Sequence, residues 1–219
     1  MNERTVLVVG ATGLVGSHLL NLLLQHTVYG AVRTLGRRAP GLKHDRLTHH
    51  LFPTEQTHGA VPAADVLFCC LGTTIKRAGS QGAFKAIDLD LVVSVARGAA
   101  AQGTETLLVV SSVGADSDSG NFYLRTKGEM EKAVAELGFK RVGILRPSLL
   151  LGAREEFRPA EKLGTLAAQL INPFLVGGLA KYRGVDAKTV AAAMIGLDQS
   201  VFAGCRILEG QEIAQLTSR

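Results

Sequence analysis

The sequence predicts an α/β fold with a doubly wound parallel sheet, and three observations carry that prediction. Short apolar runs of β type recur along the chain, helical spacings stand between most of them, and the first run breaks at three glycines before the first helix. Strands alternating with helices imply right-handed βαβ crossovers and a sheet covered on both faces. A chain of 219 residues, 47% of them hydrophobic, can bury one sizeable core, so a single domain over residues 1–219 is expected.

Taken in order, the expected strands are Thr5 to Val9, Val28 to Val32, Arg46 to Leu51, Val66 to Leu71, Thr106 to Val110 and Val142 to Leu145. The clearest helices are 13–26, where Leu14, Leu19, Leu20 and Leu23 keep helical spacing, 84–102 and 122–137, the last stopped by Gly138. After Leu145 the pattern loosens into "RPSLLLGAREEFRPAEKL", which reads as loop. Helices near 160–171 and 187–198 follow, then a short strand at Arg206 to Leu208. In doubly wound sheets such late segments wall the pocket at the strands' carboxyl ends, and residues from about 147 to 219 are assigned that small C-terminal elaboration on the substrate side.

Charge and composition narrow the function classes. The formal net charge is +5 and the isoelectric point is near 9.3, yet the excess is spread out except for Arg33, Arg37, Arg38, Lys43 and Arg46. A solvated basic face or one anionic ligand accounts for that cluster, and no nucleic-acid partner is expected. Three cysteines make no paired framework, and Cys69 and Cys70 lie inside an apolar run, which points to a reducing cytoplasm. The opening "MNERTVLVV" has no cleavable apolar region. Thr5 to Val32 and Leu163 to Ala180 lack Asp, Glu, Lys and Arg, but glycines, Pro173 and amide side chains interrupt them, so no membrane span is expected. His44, His49, His50 and His58 match no zinc spacing, and no metal site is assigned.

Gly10, Gly13 and Gly16 form G-x-x-G-x-x-G directly after the first strand and open the first helix. Without Cβ atoms such a turn lets the backbone approach a pyrophosphate, while the helix N-terminus, with Thr12, Leu14 and Val15 around it, presents free N–H groups and a positive dipole end. This is the arrangement of a dinucleotide-binding Rossmann fold. NAD binding would call for an acidic residue at the end of the second strand. Here stand Arg33, then Arg37 and Arg38, and a guanidinium there clamps a 2′-phosphate, so NADP is expected with Arg33 as primary contact. The fourth strand runs into "CLGTT", whose Leu71, Gly72 and Thr73 would pass beneath the cofactor near its riboses.

The fifth strand ends in "VVSSVGA", and "YLRTK" begins eleven residues after Ser112. Tyr123 and Lys127 stand at i and i+4, so on a helix they share one face. A lysine ammonium beside a phenol favours the phenolate, and a serine hydroxyl nearby can hold a substrate carbonyl, which together make an acid/base for hydride transfer.

With these residues in place, the sequence resembles the short-chain dehydrogenase/reductases of the atypical type and, more closely, the TIP30 (CC3) group and its bacterial relatives. The resemblance is carried by "GATGLVG", "DVLFCCLGTT" with "KRAG" after it, "SSVGADSDSGNFYLRTKGEME", "LRPSLLLG" and "REEFRP", over residues 5 to about 160. It implies cofactor contacts at Gly10, Thr12, Gly13, Gly16, Arg33, Leu71 and Gly72. It also implies a reductase triad of Ser112, Tyr123 and Lys127, with Lys127 bonding the nicotinamide ribose. Pro147 and Ser148 would pass the nicotinamide, and Arg154 or Arg158 would face cofactor or substrate. Where the wider superfamily's proton relay has an Asn, this chain has Asp88, which lacks the amide donor and would reorganise the water chain that Lys127 uses.

Two readings follow. The first is an NADP-dependent oxidoreductase acting on a small-molecule carbonyl substrate. The second, motivated by Asp88 and by the resemblance, is a non-catalytic NADPH-binding regulatory module with a protein partner. A nucleotide-sugar epimerase ranks third, because the C-terminal portion is short. The helices beginning near residues 84 and 122 pair subunits in many relatives, while the TIP30 resemblance permits a monomer, so monomer and homodimer both stay open.

Overall fold

In a computed structural model, which describes residues 3–52, 61–151 and 184–216, apolar runs and helical segments alternate as the pattern requires. The elements are β1 (Arg4–Val9), α1 (Leu14–Gln25), β2 (Tyr29–Gly36), β3 (Leu47–Leu51), β4 (Val66–Cys69), α2 (Ile75–Ala78) and α3 (Gln81–Lys85). A π-helical segment (Ala86–Leu91) leads into α4 (Val92–Ala101), then come β5 (Thr106–Val110), α5 (Phe122–Ala135) and β6 (Arg141–Arg146). The short strands β7 (Leu150–Leu151) and β8 (Val185–Asp186), α6 (Ala187–Gln199), β9 (Gly204–Glu209) and α7 (Gln211–Gln215) complete the described chain.

Seven parallel strands form one sheet in the order β3-β2-β1-β4-β5-β6-β9, with the order reversing between β1 and β4. Val6, Val8, Phe68, Leu108 and Leu145 pack against α1 and α6 on one face. Leu7, Val9, Leu67, Leu107, Val109 and Ile144 pack under α4 and α5 on the other. Burial on both faces is why the central strands read as continuous apolar runs. β7 and β8 pair separately, also in parallel.

The fourth strand stops at Cys69 rather than Leu71, and the stretch after Leu145 expected as loop carries the short strand β7. The second strand continues four residues beyond Val32, because Thr34 and Leu35 remain in register with both β1 and β3. The helix expected at 84–102 is instead built in pieces, with Ser80 capping α3 through the Ala83 amide (3.1 Å) and a π turn before α4. The helix expected at 160–171 lies outside the described residues. No described helix is long and apolar enough to cross a membrane.

The amino end of the sheet is locked by one carboxylate. Asp198 on α6 is fully buried and accepts from Arg4 Nη1 (2.6 Å) and Nη2 (3.0 Å), Arg141 Nη2 (3.0 Å) and the Tyr29 hydroxyl (2.7 Å). Burial, and then the Asp198 charge, push the Tyr29 hydroxyl well above the usual phenol range. Removing Asp198 would leave two guanidinium groups and a phenol without their shared acceptor.

Candidate functional site

The site is built at the carboxyl ends of β1, β4, β5 and β6, where the order of strands reverses. Gly10 leaves β1 with φ +82°, and a Cβ there would stand 2.6 Å from the Cys70 carbonyl oxygen, so only glycine fits. A Cβ on Gly16 would collide with the Gly10 carbonyl, which lets α1 sit tight against the turn. Gly13 is the N-cap of α1 and supplies no side-chain cap, and the first turn carries no acidic residue. Its Leu14, Val15 and Gly16 amides therefore have no side-chain acceptor from the cap, and Thr12 and Gly13 lie exposed beside them. This glycine-lined turn suits an anionic pyrophosphate.

The five basic residues of the 33–46 cluster do not act together. Arg33 lies within β2 opposite Leu7, three residues before the strand's end, and its Nη1 donates to the Ala63 carbonyl (2.5 Å). Arg46 donates from Nη1 to the His26 (3.0 Å) and Tyr29 (2.6 Å) carbonyls, and from Nη2 to the Leu24 carbonyl, closing the C-terminal end of α1. Arg37 and Arg38 follow directly after β2 and are exposed.

Tyr123 and Lys127 occupy successive turns of α5, whose N-cap Asn121 accepts from the Leu124 amide (3.2 Å). Lys127 is almost fully buried, and its Nζ forms an ion pair with Asp88 Oδ1 at 2.6 Å. Asp88 Oδ2 accepts from the Thr73 amide (2.8 Å), so the carboxylate ties the β4 loop to α5. Sequence reasoning expected Asp88 to act through a reorganised water chain. The structure joins it to Lys127 directly, because the π segment turns it inward, and nothing in the residue pattern signals a π turn.

Ser112 lies two residues beyond β5, and among the described residues its hydroxyl makes a long 3.4 Å contact to the Val113 carbonyl. The next amide, Val113, donates to the Pro147 carbonyl (3.0 Å), which holds the loop of Ser112 against that of Pro147 and Ser148. Ser111, which the sequence reading passed over, buries its hydroxyl with no hydrogen-bond partner among the described residues. Cys69, at the end of β4, is fully buried, and desolvation pushes its thiol up to about 11. Arg146 donates twice to Glu131 on α5 through Nε (2.9 Å) and Nη2 (2.6 Å), and once to Glu209 on β9 (2.9 Å), fixing the strand end just before Pro147. Arg154 and Arg158 lie outside the described residues.

Comparison with known proteins identifies the family and the fold. The NAD(P)H-binding family matches residues 10–166. The chain is 37% identical to the protein HTATIP2 of Rattus norvegicus over 169 residues, covering 74% of this chain and 69% of that protein. It is 33% identical to the mitochondrial protein FMP52 of Coccidioides immitis over 239 residues, covering 97% and 96%. Among solved structures, MoeE5 in complex with UDP-glucose and NAD superposes with a TM-score of 0.69 at 15% identity, covering 98% of this chain and 81% of that one, a likeness of fold. The FMP52 relatives, named as mitochondrial in several fungi, overturn the expected cytoplasmic location. Unpaired cysteines report a reducing milieu, and that property does not single out the cytoplasm.

Proposed function

The chain belongs to the NAD(P)H-binding family and to the TIP30-like group of atypical short-chain dehydrogenase/reductases, and from that premise we propose that it is an NADP-dependent oxidoreductase reducing a small-molecule carbonyl compound. The observation that carries the proposal is Lys127, buried at the carboxyl end of the sheet one helical turn after Tyr123.

Gly10, Thr12 and Gly13, with the amides of Leu14, Val15 and Gly16, would hold the pyrophosphate. Leu71, Gly72 and Thr73 would lie under the riboses, with Pro147 and Ser148 along the nicotinamide. Arg37 and Arg38 take the 2′-phosphate in this reading, since they stand past the end of β2, whereas Arg33 is spent on Ala63 inside the strand. When bound, NADPH supplies the hydride.

The chain's own residues do the rest. Ser112 donates a hydrogen bond to the substrate carbonyl oxygen, and the Tyr123 phenol gives that oxygen its proton. Lys127 faces Asp88 as an ion pair and carries three N–H donors that would serve ribose hydroxyls and the phenol oxygen.

Calorimetric titration with NADPH and NADH tests the first half. Wild type should prefer NADPH, and the Arg37→Ala/Arg38→Ala double variant should lose NADPH affinity by roughly 10- to 100-fold while NADH affinity barely moves. A panel of aldehydes and ketones tests the second half, where Tyr123→Phe should lower turnover by roughly 10²- to 10⁴-fold with NADPH affinity intact. Absence of binding by either nucleotide refutes the proposal. Tight NADPH binding with no turnover across the panel would favour a non-catalytic NADPH-binding module, the reading that the Asp88 charge on Lys127 supports.

A further inference from the structure

The segment between β4 and α4 meets α5 at two points with the same spacing. Phe84 and Asp88 stand four residues apart across α3 and the π segment, and Tyr123 and Lys127 stand four apart on α5. The Phe84 and Tyr123 rings lie 5.3 Å apart between centroids and 37° from parallel, while Asp88 Oδ1 and Lys127 Nζ lie 2.6 Å apart. Lys85 and Glu129 add an exposed ion pair on the flank at 3.3 Å.

We propose that Phe84 and Asp88 are positioning residues that act as a clasp, Phe84 setting the ring of Tyr123 and Asp88 setting the ammonium of Lys127. The proposal rests on the reading of Tyr123 and Lys127 as the acid/base pair. Phe84 is fully buried among the core residues, so its ring is a fixed surface for the half-buried Tyr123 ring. Asp88 is equally buried, and a buried carboxylate requires a partner, so Lys127 is held in one place rather than sampling its usual rotamers. Because Asp88 also accepts the Thr73 amide, the clasp joins the acid/base pair to the loop assigned to the riboses, and all three are set before a ligand arrives.

The test uses the full chain labelled with 3-fluorotyrosine. Three tyrosines give three fluorine signals, and Tyr123→Phe assigns the one of interest. Phe84→Leu should replace the fixed Tyr123 signal by a narrower, motionally averaged one while the Tyr29 signal stays put, and Phe84→Met serves if the leucine variant does not fold. Asp88→Asn should leave the fold intact and weaken NADPH binding by roughly tenfold in calorimetry, through loss of the positioned ammonium. A Tyr123 signal that keeps its width and position without the Phe84 ring overturns the clasp, as does wild-type NADPH affinity in Asp88→Asn. If wild type itself binds no NADPH, the cofactor reading falls, and the fluorine spectra alone decide whether Phe84 orders Tyr123.

Discussion

The two ends of the same sheet use charge in opposite ways. At the amino end every strong donor around Asp198 is answered within the fold, with Arg4, Arg141 and Tyr29 sharing one buried carboxylate. A depression of about 680 Å³ opens there, lined by Glu3, Arg4, Asp65, Glu105, Lys140 and Arg141 among others. Its cations are already spent, Arg4 and Arg141 on Asp198 and Lys140 on Glu105. At the carboxyl end the first turn of α1 has no side-chain cap, the Ser112 hydroxyl is loosely engaged and Arg37 and Arg38 are exposed. Unspent donors therefore distinguish the carboxyl end from this depression. Two cations at the open end are nonetheless paired, Arg146 with Glu131 and Glu209 and Lys127 with Asp88, and the partner of Lys127 is the residue that departs from the superfamily pattern.

This contrast breaks first at Asp198. Asp198→Ala should destabilise the fold by about 3–5 kcal/mol in urea unfolding, since it strands buried donors, yet the folded fraction should bind NADPH as wild type does. Equal losses of stability and of affinity would mean that the two ends are not independent. Gly10→Ala should do the reverse: a cost of about 1–3 kcal/mol from the left-handed backbone and the clash with Cys70, together with loss of nucleotide binding. Nucleotide affinity surviving that change would remove the glycine turn from the site. The smallest effect concerns Cys69, whose thiol stays neutral in the fold up to about 11 against an ordinary 9.0. Between those values the unfolded chain releases a proton that the folded chain keeps, so stability should fall as pH rises through that window. Cys69→Ala should flatten part of the slope in urea midpoints taken over the same range, the remainder belonging to Cys70, Cys205 and the Tyr29 phenol, which are raised in the same direction.

Much of this was legible in the chain, for reasons that differ by element. The central strands are buried on both faces and so announce themselves as apolar runs, and the glycine turn is read from sterics alone. β2 was cut short because Arg33 and Thr34 interrupt its apolar run, although its backbone pairing continues to Gly36. An expected end at Val32 makes Arg33 the first side chain past the strand, and the extension to Gly36 gives that place to Arg37 and Arg38. Register is fixed by neighbouring strands, which composition does not encode. Arg46 hides its role for a related reason: its partners are main-chain carbonyls at the end of α1 and the start of β2, seventeen to twenty-two residues away in sequence. Tyr123 and Lys127 could be paired from helical spacing, but Phe84 and Asp88 could be matched to them only after two helical segments had been packed together.

The π turn at Ala86–Leu91 has one more consequence. Such a turn accommodates one residue more than the α-helix it interrupts, so deleting a single residue there would restore α-helical bonding and rotate the preceding segment by about 100° relative to α4. Phe84 would then leave the face that meets α5 without having been mutated. A relative that conserved every side chain of the site but lacked that one insertion would carry the same letters in a different phase, so insertions and deletions between Ser80 and Val92 should separate functional classes in this group more sharply than substitutions do.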